Sequence, residues 1–486
     1  MSSQPVARVA VEKTLYGFDK LFTYIIPDAL SAACKPGVRV LLPFGRSKTL
    51  RQGIVFEVSD ISELADEERE RLKPINAVTD SAPVLSDELI RLACEIRERT
   101  FCTYFEAARV MLPSGLLFRA FETVSFSGIE PDGDELSYDE YAVLSFVRGQ
   151  NEPVSRERVI AKTGVEDKVI TRLIQNGFLV SDTAAKRRVN DATVQMAALS
   201  GEFSDGELDN IRLTASQKSV VDFLSEAVTA STKEACYYTG VTPAVIKALE
   251  KKGVVVFRDE EIYRSPAFYE GIDPDDAEIN LTTAQKDCYD GLCKLLPDGG
   301  TALVYGVTGS GKTKIYIKLI DRIILDGGQV ILMVPEISLT PQLLSSFYAR
   351  YGCDVAVIHS GLSMGERLDE WKRIKNGEAS IVIGTRSAVF APLDRLRAII
   401  IDEEQSDSYK SEMAPRYNCR DVARLRCGFT GALLVLGSAT PSLQSFAMAG
   451  AGNYKLFRLP ERYAPGGLPD VMVADTHRFS LFFRFD

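Results

Sequence analysis

The sequence predicts a multidomain α/β protein. Three observations predict this class: a length of 486 residues, which exceeds what one hydrophobic core holds; short strands broken by Pro and Gly near the N-terminus; and apolar strands that alternate with helices in the C-terminal half. No apolar run approaches the roughly 20 residues that span a bilayer, and the N-terminus lacks the basic and apolar regions of a signal peptide. We therefore expect a cytoplasmic protein with no membrane partner.

Charge and cysteine usage narrow the possible functions. The net charge is -10 at pH 7, yet residues 1–58 carry eight Lys or Arg against four Asp or Glu. A local basic surface for nucleic acid is therefore compatible with the acidic total. The nine cysteines are scattered singly, and His359 and His477 are the only histidines. Without a C-x-x-C pair, we expect buried reduced thiols and no zinc site.

Residues 1–115 are predicted to form a β-rich domain. Short strands separated by Pro and Gly indicate a small β-barrel or sandwich, and amphipathic helical sequence follows at residues 86–112. The predicted strands lie at residues 6–11, 22–26, 39–42 and 53–58. The loop at residues 45–53 carries three cations, Arg46, Lys48 and Arg51, and no acid. Either a solvated hairpin or a phosphate contact explains this loop.

Two units of similar pattern follow, at residues 116–200 and 201–270. In each unit the order helix, helix, turn, helix, strand resembles a winged helix. We interpret the pair as an internal duplication, joined by a basic linker that begins at Lys186. A recognition helix in DNA is one use of this module, and a protein-packing or structural role is an equal alternative.

Residues 271–475 are predicted to form a RecA-like parallel-sheet domain, because apolar strands and helices alternate there. The first strand leads into Gly306-Val-Thr-Gly-Ser-Gly-Lys312-Thr313 and then into a helix. In such a P-loop, backbone N–H groups surround the β-phosphate, Lys312 reaches the β- and γ-oxygens, and the Thr313 hydroxyl binds Mg²⁺. The residues expected to bind the nucleotide here are Gly306, Thr308, Gly309, Ser310, Gly311, Lys312 and Thr313.

Two later strand ends complete the predicted site. The strand at residues 398–401 delivers Asp402 and Glu403. In a P-loop enzyme Asp402 would hold Mg²⁺, and Glu403 would orient and deprotonate the attacking water, so Lys312, Asp402 and Glu403 are the predicted catalytic residues. Acids after a strand usually lie in solvated loops, but the upstream P-loop favours catalysis here. The strand at residues 432–436 leads to Ser438 and Thr440, whose hydroxyls suit a link between phosphate state and bound nucleic acid.

Together with three further blocks, these motifs resemble superfamily 2 DNA helicases, and specifically the PriA family of primosomal replication-restart helicases. The three blocks are Val334-Pro-Glu-Ile-Ser-Leu-Thr-Pro-Gln342, His359-Ser-Gly-Leu-Ser363 and Gly384-Thr-Arg-Ser-Ala-Val-Phe-Ala-Pro392. The resemblance implies ATP and Mg²⁺ as cofactors and ATP-driven unwinding in the 3′ to 5′ direction. The partners it implies are branched DNA with a 3′ leading-strand end, single-stranded DNA, primosome proteins and single-strand-binding protein.

The resemblance also implies roles for individual residues. Gln285 matches the glutamine that reads adenine, and Thr385 and Arg386 are expected to contact DNA or to couple it to hydrolysis. The segment at residues 406–424 is similar to the family's aromatic-rich coupling loop. Its candidate residues are Tyr409, Arg416 and Tyr417. Stacking of bases on such rings contributes about 1–3 kcal/mol each, and packing of the tyrosines in the core is the alternative.

Three departures from the family pattern stand out. Gln405 replaces the usual histidine, and because an amide still hydrogen-bonds a phosphate or hydroxyl, coupling is expected to change more than binding. Thr23 replaces the acid of the Phe-Asp-Tyr motif that contacts the DNA 3′ terminus, and the nearby Asp19 is out of register. The family's zinc-binding cysteines and second RecA-like domain are absent from the sequence, and residues 476–486 form an irregular tail.

From the third departure we expect a truncation or frame change near residue 477. Nucleotide binding is then expected to be weak, hydrolysis slow and translocation absent, since the second domain of such motors supplies a catalytic arginine. The alternative hypothesis is a fork-DNA-binding or primosome-interaction module without motor activity.

Overall fold

The computed structural model describes most of the chain. The described residues are 4–45, 50–65, 69, 72–116, 118–131, 136–150, 152–187, 193–200, 213–227, 229–261 and 278–463. The loop cations Arg46 and Lys48 and the tail at residues 476–486 lie outside these segments. Within the described segments, no helix is both long enough and apolar enough to cross a membrane.

The N-terminal domain is built on one six-stranded sheet, which confirms the predicted β-rich character. Its strands are β1 Pro5–Val11, β2 Phe22–Ile25, β3 Arg39–Pro43, β4 Leu50–Asp60, β5 Lys73–Pro74 and β6 Ala77–Val78. Their order is β5-β2-β1-β4-β3-β6, with β1 antiparallel to both β2 and β4. The short segment from β5 to β6 bridges the two ends of this order, because the N–H of Ile75 donates to the carbonyl oxygen of Ile25 at 3.0 Å and the N–H of Asn76 donates to that of Leu41 at 2.9 Å. The two ends of the sheet therefore meet, as they do in a small barrel.

Two helices join this sheet to the P-loop domain. Helices α1 (Asp87–Thr100) and α2 (Tyr104–Arg109) each begin at a side-chain cap, which satisfies a free N–H of the first turn. Their apolar side chains share one buried core with the P-loop domain. Glu88 on α1 accepts two hydrogen bonds from Arg426, at 2.8 and 2.9 Å, although the two residues are 338 positions apart. The two domains therefore pack through a continuous core with a bidentate ion pair at its edge.

Two small α+β units lie between these domains in the chain. The first consists of β7 Phe118–Phe126, α3 Tyr138–Arg148, β8 Val154–Ser155, α4 Arg156–Thr163, α5 Asp167–Gln175 and β9 Leu179–Arg187. The second consists of β10 Thr193–Leu199, α6 Ala215–Ala227, β11 Thr229–Ser231, α7 Thr232–Thr239, α8 Pro243–Lys251 and β12 Val255–Glu261. Their sheets have the orders β8-β7-β9 and β11-β10-β12, so the two units share one topology. The opening strands β7 and β10 were not predicted, and β10 lies before the predicted boundary at residue 200 yet pairs with β11 and β12.

The P-loop domain contains a seven-stranded parallel sheet, as predicted for a RecA-like domain. Its helices are α9 Thr283–Leu295, α10 Lys312–Leu325, α11 Pro341–Tyr351, α12 Met364–Lys375, α13 Cys419–Thr430 and α14 Leu443–Gly450. Its strands are β13 Gly300–Gly306, β14 Gln329–Met333, β15 Val355–Ile358, β16 Ile381–Gly384, β17 Leu396–Ile401, β18 Leu433–Ser438 and β19 Lys455–Leu459. The edge strand β19 was not predicted.

The order of this sheet brings the predicted motifs together. The strands run β15-β16-β14-β17-β18-β13-β19, and every printed pair is parallel. Because parallel strands are covered on both faces, β14 and β16 are buried at every position. The carboxyl ends of β17, β18 and β13 are therefore neighbours, and the segments that follow them form one edge of the sheet.

Candidate nucleotide site and DNA-end cavity

The P-loop turn depends on glycine at the point where α10 begins. Gly311 occupies the N-cap position with a φ of 78°, in the left-handed region. A Cβ there would lie 2.5 Å from Nε2 of Gln285, so a side chain would collide as well as strain the backbone. The first turn of α10 consequently points its free N–H groups into the turn, which is the arrangement that binds phosphate.

Two polar side chains of the turn are buried. The hydroxyl of Ser310 has no hydrogen-bond partner among the described residues. Lys312 is buried and its Nζ donates to the carbonyl oxygen of Gly306 at 3.0 Å. A buried orphan hydroxyl and a buried ammonium with one carbonyl partner are costly unless a further acceptor binds them, so this cradle fits an anionic ligand.

Gln285 is held by protein groups at both ends of its amide. Its Oε1 accepts a hydrogen bond from the backbone N–H of Thr282 at 2.9 Å, as part of the capping box of α9. Its Nε2 donates to the carbonyl oxygen of Ser310 at 2.8 Å. The side chain therefore fixes the P-loop against α9, and the adenine-reading role stays a prediction.

Asp402 lies at the end of β17 between two tyrosines. Its Oδ1 accepts from the Tyr316 hydroxyl at 3.2 Å, and its backbone carbonyl oxygen accepts from the Tyr409 hydroxyl at 2.7 Å. Burial raises the pKa of Asp402 above its ordinary value, and the nearby Lys312 ammonium opposes this increase. A Cβ on Gly437 of β18 would lie 1.8 Å from the Tyr316 hydroxyl. Glycine at this position therefore makes room for the hydrogen bond between Tyr316 and Asp402.

Glu403 begins a hydrogen-bonded relay that leads to β18. Its backbone has a φ of 48°, which is strained for a residue with a side chain. Its Oε2 accepts from Nε2 of Gln405 at 2.8 Å, and Oε1 of Gln405 accepts from the Ser438 hydroxyl at 2.6 Å. The hydroxyl oxygen of Ser438 also accepts from the N–H of Thr440 at 2.9 Å. The predicted acid and the predicted hydroxyls are thus joined through the amide that replaces the family's histidine.

Glu404 was not predicted as a site residue, although it is the most enclosed acid of the run. It is fully buried and accepts a hydrogen bond from Nη1 of Arg420 at 2.6 Å. It also accepts from the N–H and hydroxyl of Ser442 and from the hydroxyl of Ser445. Glu404 therefore ties the end of β17 to the start of α13 and α14. The sequence shows the three successive acids but gives no sign that these two helix starts meet at the third.

The predicted coupling residues are mostly enclosed. Tyr409 and Tyr417 are 1% and 5% exposed, and the ring of Tyr417 packs on Phe390 with centroids 4.9 Å apart. Thr385 is also buried, and Arg386 donates from Nη1 to the carbonyl oxygen of Lys410 at 2.7 Å. Core packing, the alternative for the tyrosines, is thus what the structure shows.

Arg416 differs from the neighbouring tyrosines in its exposure: it is exposed and they are buried. The Tyr409 hydroxyl still links the loop to the backbone of Asp402.

The N-terminal sheet carries a cavity of about 1030 Å³ beside β1 and β2. Its lining includes Arg8, Lys20, Thr23 and Lys73 together with the rings of Phe22 and Phe44. Thr23 pairs with Arg8 in the sheet, and Arg8 in turn forms a 3.1 Å ion pair with Glu57. The cavity thus combines cations with two aromatic rings, whose centroids lie 5.0 Å apart.

Asp19 and Arg51 are not among the residues that line this cavity. Asp19 is buried and accepts from the N–H of Tyr104 at 2.9 Å and from the Thr14 hydroxyl at 3.2 Å. It therefore anchors the chain and does not take the place of the acid that Thr23 replaces. The guanidinium of Arg51 lies 4.7 Å from the ring centroid of Phe44, next to the cavity.

A magnesium site in this domain would use few protein ligands. Among the described residues, no three His, Cys, Asp or Glu side chains gather closely enough to hold a metal ion. Mg²⁺ in nucleotide sites typically takes one or two protein oxygens and completes its shell with phosphates and water. Asp402 and the exposed Thr313 at the start of α10 fit that limited ligand set.

Comparison with known proteins assigns a family to each of the two domains. Residues 8–113 match the family model of the 3'DNA-binding domain (3'BD) of PriA, and residues 282–448 match that of the DEAD/DEAH box helicases. The chain thus joins a DNA 3′-end-binding type of domain to a helicase-type P-loop domain.

Two relatives are similar to nearly the whole of this chain. The chain is 34% identical to the replication restart protein PriA of Bacillus subtilis, over 96% of this chain and 57% of that protein. It is 31% identical to the replication restart protein PriA of Synechocystis, over 98% of this chain and 57% of that protein. The resemblance to the PriA family is confirmed, and the chain spans little more than half the length of these relatives. The crystal structure of the Pyrococcus furiosus Hef helicase domain matches at 19% identity with a TM-score of 0.28, over 36% of this chain and 37% of that one.

Proposed function

We propose that this chain is the ATP-binding and DNA-end-binding part of a PriA-type 3′ to 5′ DNA helicase of replication restart. The observation that carries the proposal is the meeting, at one sheet edge, of a P-loop containing a buried Lys312 with the acids Asp402 and Glu403. The direction of unwinding and the primosome proteins and single-strand-binding protein as partners come from the family resemblance.

The residues of the P-loop bind and orient the triphosphate. The N–H groups of the first turn of α10 donate hydrogen bonds to the phosphate oxygens, and Lys312 exchanges its 3.0 Å bond to Gly306 for phosphate oxygens. Thr313 and Asp402 would hold Mg²⁺, which would supply positive charge to neutralise the phosphates. Tyr316 keeps the Asp402 carboxylate in place from the same helix that carries Thr313.

Glu403 and its relay connect hydrolysis to the DNA side. Glu403 orients the attacking water and accepts its proton, and the Gln405 amide holds the carboxylate in position. Because Ser438 holds the other end of that amide, a shift of the β18 end changes the position of Glu403. Tyr409 couples the loop at residues 406–424 to Asp402 in the same manner.

The cavity of the N-terminal sheet, which we call the DNA-end cavity, binds the terminal nucleotide of a DNA 3′ end. Lys20, Lys73 and Arg8 provide charge for a phosphate, and Phe22 and Phe44 provide faces for a base. Thr23 has no charge to recognise the terminal hydroxyl, so it contributes a single hydroxyl in place of a carboxylate.

The two α+β units between the domains are winged-helix-like modules, and we assign them to protein contacts rather than to DNA. In the first unit, Arg156 is paired with Asp167 at 2.5 Å, and Arg172 lies 3.6 Å from Glu140. The pairing of these two guanidinium groups within their own unit reduces the positive charge that the unit offers to phosphates.

A DNA-stimulated ATPase assay tests the proposal. The purified chain is expected to hydrolyse ATP, because Lys312, Asp402 and Glu403 meet at one sheet edge. Forked DNA with a 3′ end should increase the rate, and Lys312→Ala should remove the activity, whereas Lys318→Ala on the same helix should not. DNA-end binding without any turnover would instead favour a fork-binding module without motor activity.

A further inference from the structure

Four large apolar side chains stand in solvent next to the DNA-end cavity. Leu15, Tyr16, Phe18 and Phe101 are 72%, 44%, 79% and 82% exposed. The rings of Tyr16 and Phe101 meet edge to face with centroids 6.1 Å apart, although the residues lie in different elements. We refer to these four residues as the aromatic ledge. Clustered exposed apolar groups are unfavourable in water and typically mark a binding surface.

The ledge is held firmly by the protein beneath it. Its turn closes through a 2.9 Å bond from the N–H of Phe18 to the carbonyl oxygen of Leu15. The buried Asp19 anchors the end of the turn on the N–H of Tyr104 at 2.9 Å. The guanidinium of Arg97 lies 5.3 Å from the ring centroid of Tyr16. The exposed rings are therefore presented by a fixed scaffold.

The backbone around the ledge is also strained. Lys13 and Phe101 have φ values of 58° and 51°, in the region that glycine prefers. Within the described residues, Glu403 at the nucleotide site is the other non-glycine residue with a positive φ. Such strain persists where the surrounding structure enforces it, which is common at binding sites.

Both ends of the turn contact the wall of the DNA-end cavity. At one end, Nη1 of Arg51 donates to the carbonyl oxygen of Lys13 at 3.3 Å, and its guanidinium lies over the ring of Phe44. At the other end, Nζ of Lys20 lies 5.8 Å from the ring centroid of Phe22. Phe44 and Phe22 line the cavity. A strand that leaves the cavity in this direction passes directly onto the ledge.

The charged residues next to the ledge favour a polyanion as its ligand. Lys13 and Lys20 are exposed, and neither forms an ion pair with a described residue. The acids of the same segment are engaged elsewhere, because Asp19 is buried and Glu12 accepts from the N–H of Gln52 at 3.2 Å. Alternating cations and exposed rings bind single-stranded DNA, whose phosphates meet the cations while its bases stack on the rings.

We propose that the aromatic ledge is a stacking platform for the unpaired bases that precede a 3′-terminal nucleotide held in the cavity. This inference rests on the proposed DNA-end function and extends it from one nucleotide to a short single-stranded path. The ledge adds affinity that grows with strand length, whereas the cavity recognises the end itself.

Fluorescence anisotropy with oligodeoxythymidines of two and eight nucleotides, each ending in a 3′ hydroxyl, tests the ledge. Phe18→Ala combined with Phe101→Ala should weaken binding of the eight-nucleotide strand by roughly 10-fold or more, and leave the two-nucleotide strand nearly unchanged. Leu325→Ala, which removes an equally exposed apolar side chain from the end of α10, is the matched control and should change neither.

The possible outcomes separate the ledge from the cavity. Unchanged binding of the longer strand by the ledge variant would overturn the proposal, and would leave the ledge as a surface for a protein partner. If a 3′ phosphate is bound as well as a 3′ hydroxyl, but the ledge variant still loses affinity, the end-recognition function fails while the ledge stands. Failure of the folded wild-type chain to bind either strand would overturn both.

Discussion

The nucleotide site and the DNA-end cavity differ in how the protein holds their polar groups. At the nucleotide site, Asp402 and Glu404 follow the buried strand β17 and Lys312 begins helix α10, and each is held by specific hydrogen bonds. In the N-terminal domain, Arg8 on β1 and Lys20 just before β2 are exposed and line the cavity. Buried polar groups interact strongly and are costly to leave unpaired. Exposed charges are screened by salt, so each contributes little and several together determine the binding affinity. Single substitutions should therefore have large effects at the first region and small, salt-dependent effects at the second.

Removal of Glu404 should give the largest effect on stability. Glu404→Ala leaves Arg420 and the two serines without their common acceptor, and breaking such a buried pair costs about 3–5 kcal/mol. Chemical denaturation should show this loss in the free energy of unfolding. Glu412→Ala, which removes an exposed acid of the same loop, should change stability by less than about 0.5 kcal/mol. If the two variants lost the same free energy of unfolding, the predicted difference between buried and exposed acids would be wrong.

Gly437→Ala should disturb the nucleotide site by displacing Tyr316. The new methyl group would lie 1.8 Å from the Tyr316 hydroxyl, so Tyr316 must move away from Asp402. We expect a stability loss of about 1–3 kcal/mol, typical of overpacking, together with weaker Mg²⁺-dependent nucleotide binding.

Gly428→Ala is the matched control, because it lies on helix α13 with no atom near its added Cβ. It should stabilise the protein by about 0.5–1 kcal/mol. Nucleotide affinity that survives Gly437→Ala unchanged would show that Tyr316 does not position Asp402.

The dependence of nucleotide binding on pH should report the burial of Asp402. Its pKa is raised by burial, so the carboxyl group keeps its proton to a higher pH than an exposed aspartate does. As the pH falls through this raised value, protons compete with Mg²⁺, and Mg²⁺-dependent affinity should decrease by up to about tenfold per pH unit. Titration calorimetry from about pH 8 to about pH 5 would measure this decrease. The Asp402→Asn variant should lack that decrease, and a decrease that persists in it would assign the pH dependence to another group.

The smallest single effect is expected in the DNA-end cavity. Arg8→Ala should weaken binding of a 3′-ended single strand by a few fold and reduce the slope of log affinity against log salt by about 0.7, the value for one phosphate contact. Arg322→Ala, which removes an exposed cation of helix α10, should leave the slope unchanged. An unchanged slope for Arg8→Ala would mean that its pairing with Glu57 already removes it from DNA binding.

The sequence predicts the residues of the nucleotide site better than it predicts the residues that hold them in position. The P-loop and the Asp402-Glu403 pair follow from local spacing, because strand, turn and helix are contiguous. The Tyr316 contact with Asp402 and the Arg420 contact with Glu404 join segments 86 and 16 positions apart, and no local pattern encodes them. Gln285 shows the same limit, since a capping position and an adenine contact have the same sequence signature.

Fold prediction fails for similar reasons at the edges of sheets. Strands β7 and β10 open their units and lie outside the helix, helix, turn, helix, strand pattern on which the prediction rests, and β19 lies at the end of the P-loop sheet. The packing of α1 and α2 on the P-loop domain depends on contacts such as Glu88 with Arg426, across most of the chain. The buried tyrosines of the loop at residues 406–424 also depend on such packing, which composition does not reveal.

The central claim is that the P-loop and Asp402 together bind a Mg²⁺-complexed adenine nucleotide. Isothermal titration of the folded chain with a non-hydrolysable ATP analogue, with and without Mg²⁺, tests it most directly. We expect Mg²⁺ to strengthen binding at least about tenfold in the wild type, and this increase to disappear in Asp402→Asn. A folded chain whose affinity for the analogue is independent of Mg²⁺, or which binds no adenine nucleotide, would contradict the claim.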